Sequence, residues 1–359
     1  MEFIHGDKKV FDDFIKNMKE EDEIALISHN DVDGIISAFL LAEYLIKRKF
    51  NIKYKKFVTY QKNFIGDMIP ELKKYDITKV FITDLQVDSD DFDGFFRISK
   101  EFDTLLIDHH PLHNNKKEYS KLNVIKCSST NSAGYIVYNL GIDTLREDYY
   151  EELMLASLIS DYGFKDKNLM KLIQKKYGNV TKDNAFDCRG GVLAKKINSS
   201  LVYTGKNFDL IWKILSKRDL KKLEEAYDLI EDEIKKSVSY CEKYAKYYEK
   251  YKLYFIHYTP RYNYMSALTT IFSGNHKEDT FVMLSDVTND QSKIKISSRN
   301  QSGNVEMNKM LEASINGLDN AISGGHLNAS GGVIMRKDLE KFKRQMLDYF
   351  EKNLINNNL

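Results

Sequence analysis

The amino-acid sequence predicts an α/β protein with a parallel-sheet domain, a helical connector and a second, smaller α/β domain. In the first 160 residues, short β-rich runs alternate with helical patterns, which is typical of a parallel sheet covered by helices on both faces. Residues 220–251 contain no Gly or Pro and are rich in Lys and Glu. Strand patterns return from residue 253. We therefore expect domains at residues 1–165 and 253–359, joined by a helical insertion and connector at 166–252.

The elements of the first domain follow from the spacing of apolar residues. Residues 24–27 form a short apolar run typical of a buried strand, and apolar residues at helical spacing follow over residues 34–47. Further strands are predicted at residues 51–58, 79–83 and 104–107, and helices near residues 64–75, 90–102, 131–140 and 147–160.

The pattern is less regular beyond residue 165 until the second domain begins. Residues 166–217 give a weak, polar pattern, and residues 220–251 predict one long exposed helix. A coiled coil is the alternative there, but the apolar spacing is too irregular for heptads. In the second domain we expect strands at residues 253–256, 280–284 and 293–297, helices at 304–314 and 337–353, and a glycine-rich turn at 323–332.

Composition excludes several classes of protein. The chain has 359 residues with 54 Lys+Arg against 53 Asp+Glu, and this balance excludes a broadly basic nucleic-acid binder. Cys127, Cys188 and Cys241 lie far apart, which excludes a zinc ribbon and favours a reducing compartment. The N-terminus lacks the apolar run of a signal peptide, and the longest apolar stretch, residues 35–46, is too short to span a bilayer. We expect a cytoplasmic protein without membrane association.

Acidic and histidine side chains follow the predicted strands at the point where each strand ends. His29, Asp31 and Asp33 come after the first strand, and Asp84 comes after the third. Because ligands of an open parallel sheet bind beyond the carboxyl ends of its strands, we expect these side chains to share one crevice. The same crevice would receive Asp108, His109 and His110 after the fourth strand, and Asp161 at the end of the predicted helix 147–160.

Several carboxylates in one crevice require positive charge nearby. Two unit charges about 4 Å apart repel by about 4 kcal/mol at an effective dielectric constant near 20. The carboxylates must therefore take up protons or bind cations. Carboxylate oxygen and imidazole nitrogen without thiolate favour Mn²⁺ or a related divalent ion. The number of ligands is too large for one ion, so we expect two ions that share a bridging carboxylate and activate a water for phosphoryl displacement.

Each of these residues alone has a simpler explanation. Asp33 or Asp84 could be the N-cap of a helix, and His29 could be an ordinary surface or core histidine. Residues 109–110 could form a solvated turn. Four acid-bearing groups that each end a strand or a helix are hard to explain as independent caps, so we favour a metal site. A serine-rich segment, residues 128–132, could bind an anion at a helix start, and capping alone explains it equally well.

The four segments resemble the four motifs of the DHH phosphoesterase superfamily. Its Asp-His-His triplet corresponds to residues 108–110. Residues 29–34 resemble the first motif, in the compact spacing of archaeal RecJ-like nucleases and bacterial nano-RNase-type oligoribonucleases. Residues 82–84 resemble the second motif and residues 160–163 the fourth. Five motifs in the expected order, counting the one at the C-terminus described next, make the resemblance specific.

The C-terminal part resembles the DHHA1 domain that accompanies this superfamily. Residues 323–332 contain its Gly-Gly-His signature, and Arg299 stands in its Ser-x-Arg element. The resemblance covers residues 20–165 and 253–345, whereas residues 166–250 match no motif. Ser323 replaces a frequent third glycine, which is a departure that removes no predicted ligand.

The resemblance implies a role for each site residue. Asp84 would bridge two metal ions, Mn²⁺ first with Mg²⁺ or Co²⁺ as alternatives, and the nucleophile would be hydroxide held between them. Asp108 and His110 would be the catalytic side chains, with Asp108 orienting an imidazole and His110 facing the substrate phosphate. The other metal ligands would be His29 and Asp31 at the first ion, and Asp33, His109 and Asp161 at the second. Substrate would be bound by Arg299, Gly324, Gly325 and His326.

The implied activity is metal-dependent phosphodiester hydrolysis of short or single-stranded oligonucleotides, with release of nucleoside monophosphates from a cleft between the two lobes. A cyclic-dinucleotide phosphodiesterase or a 3′-phosphoadenosine-phosphate phosphatase would share the same catalytic residues. A non-catalytic replication scaffold is the remote alternative, because that branch tends to lose metal ligands. RNA or DNA as the substrate, the polarity of attack and a homodimeric state are left open by the sequence.

Overall fold

Two compact units make up the protein, Met1–Tyr227 and Asp228–Leu359. The computed structural model describes residues 1–59, 63–112, 119 and 121–357. Each unit contains a six-stranded sheet in this described part of the chain, and the predicted α/β class is confirmed. The predicted domain boundaries at residues 165 and 252 stay predictions. Among the described residues, no helix has the length and apolar content needed to cross a membrane.

The sheet of the first unit is parallel except at one edge. Its order is β1-β6-β5-β4-β2-β3, and β1 pairs with β6 in the antiparallel sense. The order places β2, β4 and β5 side by side, so their carboxyl ends lie at the same edge. The strands are β1 Phe3–His5, β2 Ile24–His29, β3 Ile52–Val58, β4 Lys79–Thr83, β5 Asp103–Asp108 and β6 Asn123–Cys127.

Helices cover both faces of this sheet. Leu26 and Phe81 belong to the apolar cluster on one face, and Ala25 and Val80 belong to the cluster on the other, as expected for strands buried on both sides. The helices are α1 Lys8–Lys16, α2 Val32–Lys47, α3 Ile69–Lys74, α4 Val87–Asp90, α5 Phe92–Glu101, α6 Ala133–Leu140, α7 Ile142–Leu145, α8 Asp148–Ser160, α9 Lys167–Tyr177, α10 Arg189–Tyr203 and α11 Phe208–Ser216.

The second unit has a mixed sheet of order β11-β12-β10-β9-β8-β7, in which β8 and β9 are parallel. Helix α12, Glu224–Tyr244, contains the division between the units. The remaining elements are β7 Lys246–Tyr248, β8 Leu253–His257, α13 Met265–Asn275, β9 Thr280–Val287, β10 Asp290–Asn300, α14 Met307–Ile315, β11 Ile322–His326, β12 Ala329–Met335 and α15 Leu339–Asn357.

Several local predictions were wrong. The long helix predicted over residues 220–251 ends at Tyr244, because residues 246–248 pair with β8 as a strand. The glycine-rich turn predicted at 323–332 is a hairpin, since β11 pairs with β12 across its whole length. Strands β1 and β6 and helices α1 and α13 were not predicted, and the weak pattern of residues 166–217 folds largely into helices α9 to α11.

Candidate metal centre

The ends of three neighbouring strands carry the predicted site residues. In the parallel register, Ser28 lies beside Thr83, and Thr83 lies beside Ile107. The residues that follow therefore leave the sheet at one level. His29 ends β2, Asp31 and Asp33 begin α2, Asp84 follows β4, Asp108 ends β5 with His109 and His110 after it, and Asp161 follows α8.

Close backbone approach explains the glycine that ends the first motif. Asp31 is the N-cap of α2, and its carboxylate accepts a hydrogen bond from the Gly34 amide at 2.9 Å. A Cβ atom on Gly34 would lie 2.2 Å from the carbonyl oxygen of His29. Only glycine lets the helix begin this close to the strand end, so Gly34 sets the direction of the first motif.

Among the described residues, the histidines and carboxylates that could hold a metal ion form three groups that all include Asp84. One of them joins Asp84 to Asp108, His109 and His110, and the other two contain the predicted ligands. The first of these two is His29, Asp31 and Asp84, and potential ligand atoms in each group lie within 4.8 Å of one another. His29 Nδ1 is 2.9 Å from Asp31 Oδ2 and 3.7 Å from Asp84 Oδ2. The second group is Asp33, Asp84, His109 and Asp161.

His109 is the centre of the second group. Its Nε2 lies 3.2 Å from Asp84 Oδ1, 3.0 Å from Asp161 Oδ2 and 3.8 Å from Asp33 Oδ2. The structure thus brings all six predicted ligands together in two overlapping sets. Their role as metal ligands stays a prediction.

The carboxylates of the cluster oppose one another electrostatically. Burial, together with repulsion from Asp161, raises the pKa of Asp33 to about 7. Burial and repulsion from Asp33 and Asp31 raise the pKa of Asp84 well above its usual range. Burial alone would lower the pKa of His109, but its hydrogen bonds to Asp161 and Asp84 outweigh burial and raise that pKa well above its ordinary value. Without a cation, the cluster therefore holds extra protons near neutral pH.

Asp31 behaves differently because His29 lies against it. Burial alone would raise the pKa of Asp31, but the hydrogen bond and charge of His29 outweigh it and lower that pKa to about 2. Asp31 thus stays ionised across the physiological range. An ionised carboxylate beside an imidazole suits a divalent cation.

The residues fit divalent cations on two grounds. Within the described part of the chain, Oδ2 of Asp84 is a buried atom without a hydrogen-bond partner. An orphaned buried carboxylate oxygen is costly unless an ion or water meets it. The donors are carboxylate oxygens and imidazole nitrogens, which suit Mn²⁺ and related ions.

Asp33 is anchored by a helix other than its own. Its Oδ2 accepts from the Ala133 amide at 2.7 Å and its Oδ1 from the Gly134 amide at 2.8 Å, both at the start of α6. Ser132 is the N-cap of that helix. The amides at the helix start are therefore occupied by Asp33 and Ser132, so capping accounts for the serine-rich segment and leaves no need for an anion.

Sequence reasoning missed Ser157, which donates a hydrogen bond to Asp33 Oδ1 and pairs with Ser132. Nothing in the sequence sets it apart in an apolar helix. Only the packing of α8 against α6 reveals it.

Gly134→Ala should damage the centre although alanine favours helices. A Cβ atom there would lie 2.3 Å from Ser157 Oγ and 3.2 Å from Asp33 Oδ1. We expect overpacking to cost about 1–3 kcal/mol of unfolding free energy and to weaken divalent-metal binding by displacing Asp33. Urea unfolding and calorimetric titration with Mn²⁺ measure the two effects.

Gly274→Ala is the matched control, because Gly274 is also helical and a Cβ there meets nothing within 4 Å. It should leave metal affinity unchanged and leave stability equal or slightly higher. Unaltered metal binding by Gly134→Ala would contradict the role assigned to the Asp33 anchor.

Asp108 is the first residue of the third motif, the Asp-His-His triplet. It is fully buried, and its Oδ1 is 2.7 Å from His110 Nδ1. Burial alone would raise the pKa of Asp108, but the charges of His110 and Lys126 outweigh it and lower that pKa. An ionised Asp108 fixes Nδ1 of His110 as the nitrogen that faces it.

The predicted substrate residues lie together in the second unit. Arg299, Gly324, Gly325 and His326 line one cavity of about 460 Å³. The guanidinium of Arg299 donates to Ser266 Oγ at 3.0 Å and to Thr270 Oγ1 at 3.2 Å, which orients it. Gly325 has a φ of +142°, and a Cβ atom there would lie 2.4 Å from the carbonyl oxygen of Ala329. The hairpin therefore requires glycine at that position.

The chain resembles known proteins in sequence and in fold. Residues 23–160 match the family model for the DHH family, N-terminal domain. No curated protein sequence matches the chain. Among solved structures, the chain is similar to exonuclease RecJ bound to manganese, with a TM-score of 0.69 and 11% identity over 96% of this chain and 94% of that one.

Two further structures share the fold. An exopolyphosphatase-related protein from Bacteroides fragilis has a TM-score of 0.58 and 16% identity over 96% of both chains. CDC45 from Entamoeba histolytica has a TM-score of 0.60 and 11% identity over 96% of this chain and 98% of that one. At these identities the likeness shows the fold alone. The family match, together with the Asp-His-His triplet, identifies residues 23–160 as a DHH family N-terminal domain.

Proposed function

We propose that the protein is a metal-dependent phosphodiesterase that hydrolyses short or single-stranded oligonucleotides to nucleoside monophosphates. One observation carries the proposal: the six predicted ligands fall into two groups that share Asp84, which is the arrangement a pair of divalent cations requires. The likeness to exonuclease RecJ supports the choice of a phosphodiester as the substrate.

The predicted site residues would have two separate roles, cation binding and phosphate binding. His29, Asp31, Asp33, Asp84, His109 and Asp161 would hold two ions, Mn²⁺ first, with Mg²⁺ or Co²⁺ as alternatives. When bound, the ions supply Lewis acidity and activate the attacking water. Asp108 holds His110 through Nδ1, so Nε2 is the nitrogen that would donate to a phosphate oxygen.

The second unit would contribute the remaining phosphate contacts. We assign it as the DHHA1 domain, with Arg299, Gly324, Gly325 and His326 as its substrate-binding residues. Glycine at 325 lets the backbone approach phosphate oxygens, and the tethered guanidinium of Arg299 offers a planar pair of donors. A cytoplasmic location fits nucleotide substrates of this kind.

A panel of substrates tests the proposal directly. Purified protein with Mn²⁺ is incubated with end-labelled RNA and DNA of two, five and twenty nucleotides, cyclic dinucleotides and 3′-phosphoadenosine phosphate. We expect faster release of mononucleotides from the short linear substrates than from the twenty-nucleotide strands. Cleavage confined to cyclic dinucleotides or to the bisphosphate would select one of those two activities instead.

A non-catalytic scaffold is the alternative that the likeness to CDC45 raises. All six residues predicted as metal ligands lie close together in the described part of the chain, which supports an enzyme. Calorimetric titration with Mn²⁺ separates the two, because absence of any divalent-metal binding would support the scaffold and contradict the enzyme.

Arg299→Ala should weaken substrate binding and leave the metal centre intact. Losing a charge-assisted hydrogen bond to phosphate costs about 1.5–3 kcal/mol, so KM should rise about 10- to 100-fold with Mn²⁺ affinity unchanged. Steady-state kinetics and calorimetric titration measure these quantities.

Arg336→Ala is the control for that substitution. Arg336 lies in the same unit and pairs with Asp286 at 2.8 Å, and it should not change KM. Loss of metal binding by Arg299→Ala would show that Arg299 serves the centre and not the substrate.

A further inference from the structure

Lys126 is a fully buried lysine in β6, one strand away from the third motif. In the parallel pairing of β5 with β6 its direct partner is Asp108. Its Nζ lies 3.0 Å from Asp108 Oδ2 and 2.7 Å from Asp88 Oδ1. The flanking residues Ile125 and Cys127 are apolar and buried, so the ammonium reaches these carboxylates from an otherwise apolar strand.

The same ammonium also holds the backbone of the third motif. Its Nζ donates to the carbonyl oxygen of His110 at 3.2 Å and lies 3.4 Å from that of Pro111. Lys126 thus holds His110 at two points: at the main chain directly, and at the ring through Asp108, whose Oδ1 is 2.7 Å from Nδ1.

The buried ion pair of Lys126 costs desolvation free energy, so packing alone does not explain why a lysine occupies this position. Burying an ion pair desolvates both charges, and apolar side chains of similar volume often replace one without loss of stability. An ammonium at this position can do what an apolar side chain cannot, because it donates to the carbonyl oxygen of His110 and lies 3.0 Å from Oδ2 of Asp108, a buried atom without a hydrogen-bond partner among the described residues.

We propose that Lys126 is a positioning residue, which holds Asp108 and the His110 carbonyl so that the His110 ring keeps its proton on Nδ1 and presents Nε2 to the substrate phosphate. The inferred orientation of the His110 ring rests on the contacts of Lys126. The effect of that orientation on catalysis rests on the proposed phosphodiesterase function.

The tautomer of His110 in the metal-free protein tests the orientation without any assay of activity. Long-range ¹H–¹⁵N correlation spectra should show the Nδ1–H form in the wild-type protein. In Lys126→Met the Nε2–H form should appear, because the His110 carbonyl and Asp108 lose the ammonium that holds the ring against the carboxylate. An Nε2–H ring in the wild-type protein, or an unchanged Nδ1–H ring in folded Lys126→Met, would overturn the proposal.

Kinetics test the consequence for the reaction. Loss of a partner that orients a catalytic or ligating group typically costs 10- to 100-fold, so kcat of Lys126→Met should fall by about that factor with Mn²⁺ affinity within about twofold. A wild-type kcat in the folded variant would overturn the positioning role.

Lys79→Met is the matched control, since Lys79 is also buried in this sheet and pairs with Asp103 and, at 3.8 Å, with Asp22. It should lose less stability than Lys126→Met, because Asp103 is largely exposed, and it should keep the kcat and the His110 tautomer of the wild-type protein. If kcat of Lys79→Met fell as much as kcat of Lys126→Met, both losses would reflect general destabilisation. That result would overturn the proposal.

Two further arms keep the outcome decisive. If Lys126→Met does not fold, Lys126→Met with Asp88→Asn removes the charge of one of the two carboxylates that lose the ammonium. The wild-type spectrum decides the orientation even if that variant also fails. If the wild-type protein hydrolyses no member of the substrate panel, the proposed function fails, and the tautomer measurements still decide the role of Lys126.

Discussion

Asp84→Asn should abolish hydrolysis, with a loss of more than about 100-fold in kcat/KM. Even outer partners of a metal ligand typically contribute 10- to 100-fold, and Asp84 belongs to both ligand groups. An amide offers one neutral oxygen where the carboxylate offers two charged ones, so both cation sites should weaken together. Kinetics on the best substrate of the panel and calorimetric titration with Mn²⁺ measure the two losses.

Asparagine is the right replacement because Asp84 has a φ of +58°. Asparagine tolerates this left-handed backbone better than other non-glycine residues, whereas alanine would add strain. Asp148→Asn is the control, since Asp148 is an exposed carboxylate whose partner is Lys176 on the surface. If Asp84→Asn retained more than a few per cent of activity, the assignment of Asp84 as the bridging ligand would be wrong.

Removal of the divalent ions should make the protein less stable as the pH rises. Burial and neighbouring carboxylates raise the pKa of Asp33 to about 7 and that of Asp84 well above its usual range, so the folded state binds more protons than the unfolded state. Stability from Asp33 is therefore lost as the pH rises from about 4 to about 7. His109 acts in the same direction, because its pKa is also raised and its contribution disappears as the pH passes that value.

Groups with lowered pKa values do not oppose this trend in the tested range. Asp31 and Asp108 contribute stability that is lost only as the pH falls below about 4. Between pH 5.5 and 8.5, Asp33 alone should cost about 2 kcal/mol of unfolding free energy in the metal-free protein. Urea unfolding at both pH values in EDTA measures it.

Mn²⁺ should restore the lost stability, and by more at pH 8.5 than at pH 5.5, because the ionised carboxylates then have their counter-charge. The Asp84→Asn variant gives a further check. It removes a buried carboxylate from a cluster whose carboxylates repel one another, so its metal-free form should be more stable than the wild-type protein while it remains inactive. A variant that lost activity together with metal-free stability would point to misfolding and not to a missing ligand.

Much of the first unit could be predicted from the sequence because its signals are local. Residues 79–83 were predicted as a strand with the bounds that β4 has, and the helix predicted at 147–160 differs from α8 by one residue. Apolar runs and helical spacing report burial directly. The acidic and histidine residues after the strand ends then predicted the metal-site cluster. Parallel strands bring their carboxyl ends to one edge of the sheet, whatever the conformation of the loops.

Other elements could not be predicted because pairing decides them. Residues 322–326 contain two glycines and a serine, which disfavour a strand, and they form β11 only because β12 offers its backbone groups. Residues 246–248 continue a helical composition, yet they pair with β8. In both segments the hydrogen bonds to a distant strand outweigh the local preference.

The sequence by itself determined which side chains stand at the strand ends, because the residue types and their positions after the strands are local properties of the chain. His29, Asp31, Asp84 and the triplet at 108–110 are all readable there. Only the tertiary structure decided how these side chains are held in place. Asp33 is anchored by the start of α6, 100 residues further along the chain. Lys126 lies beside Asp108 because β6 pairs with β5, and a linear sequence does not show which strands pair.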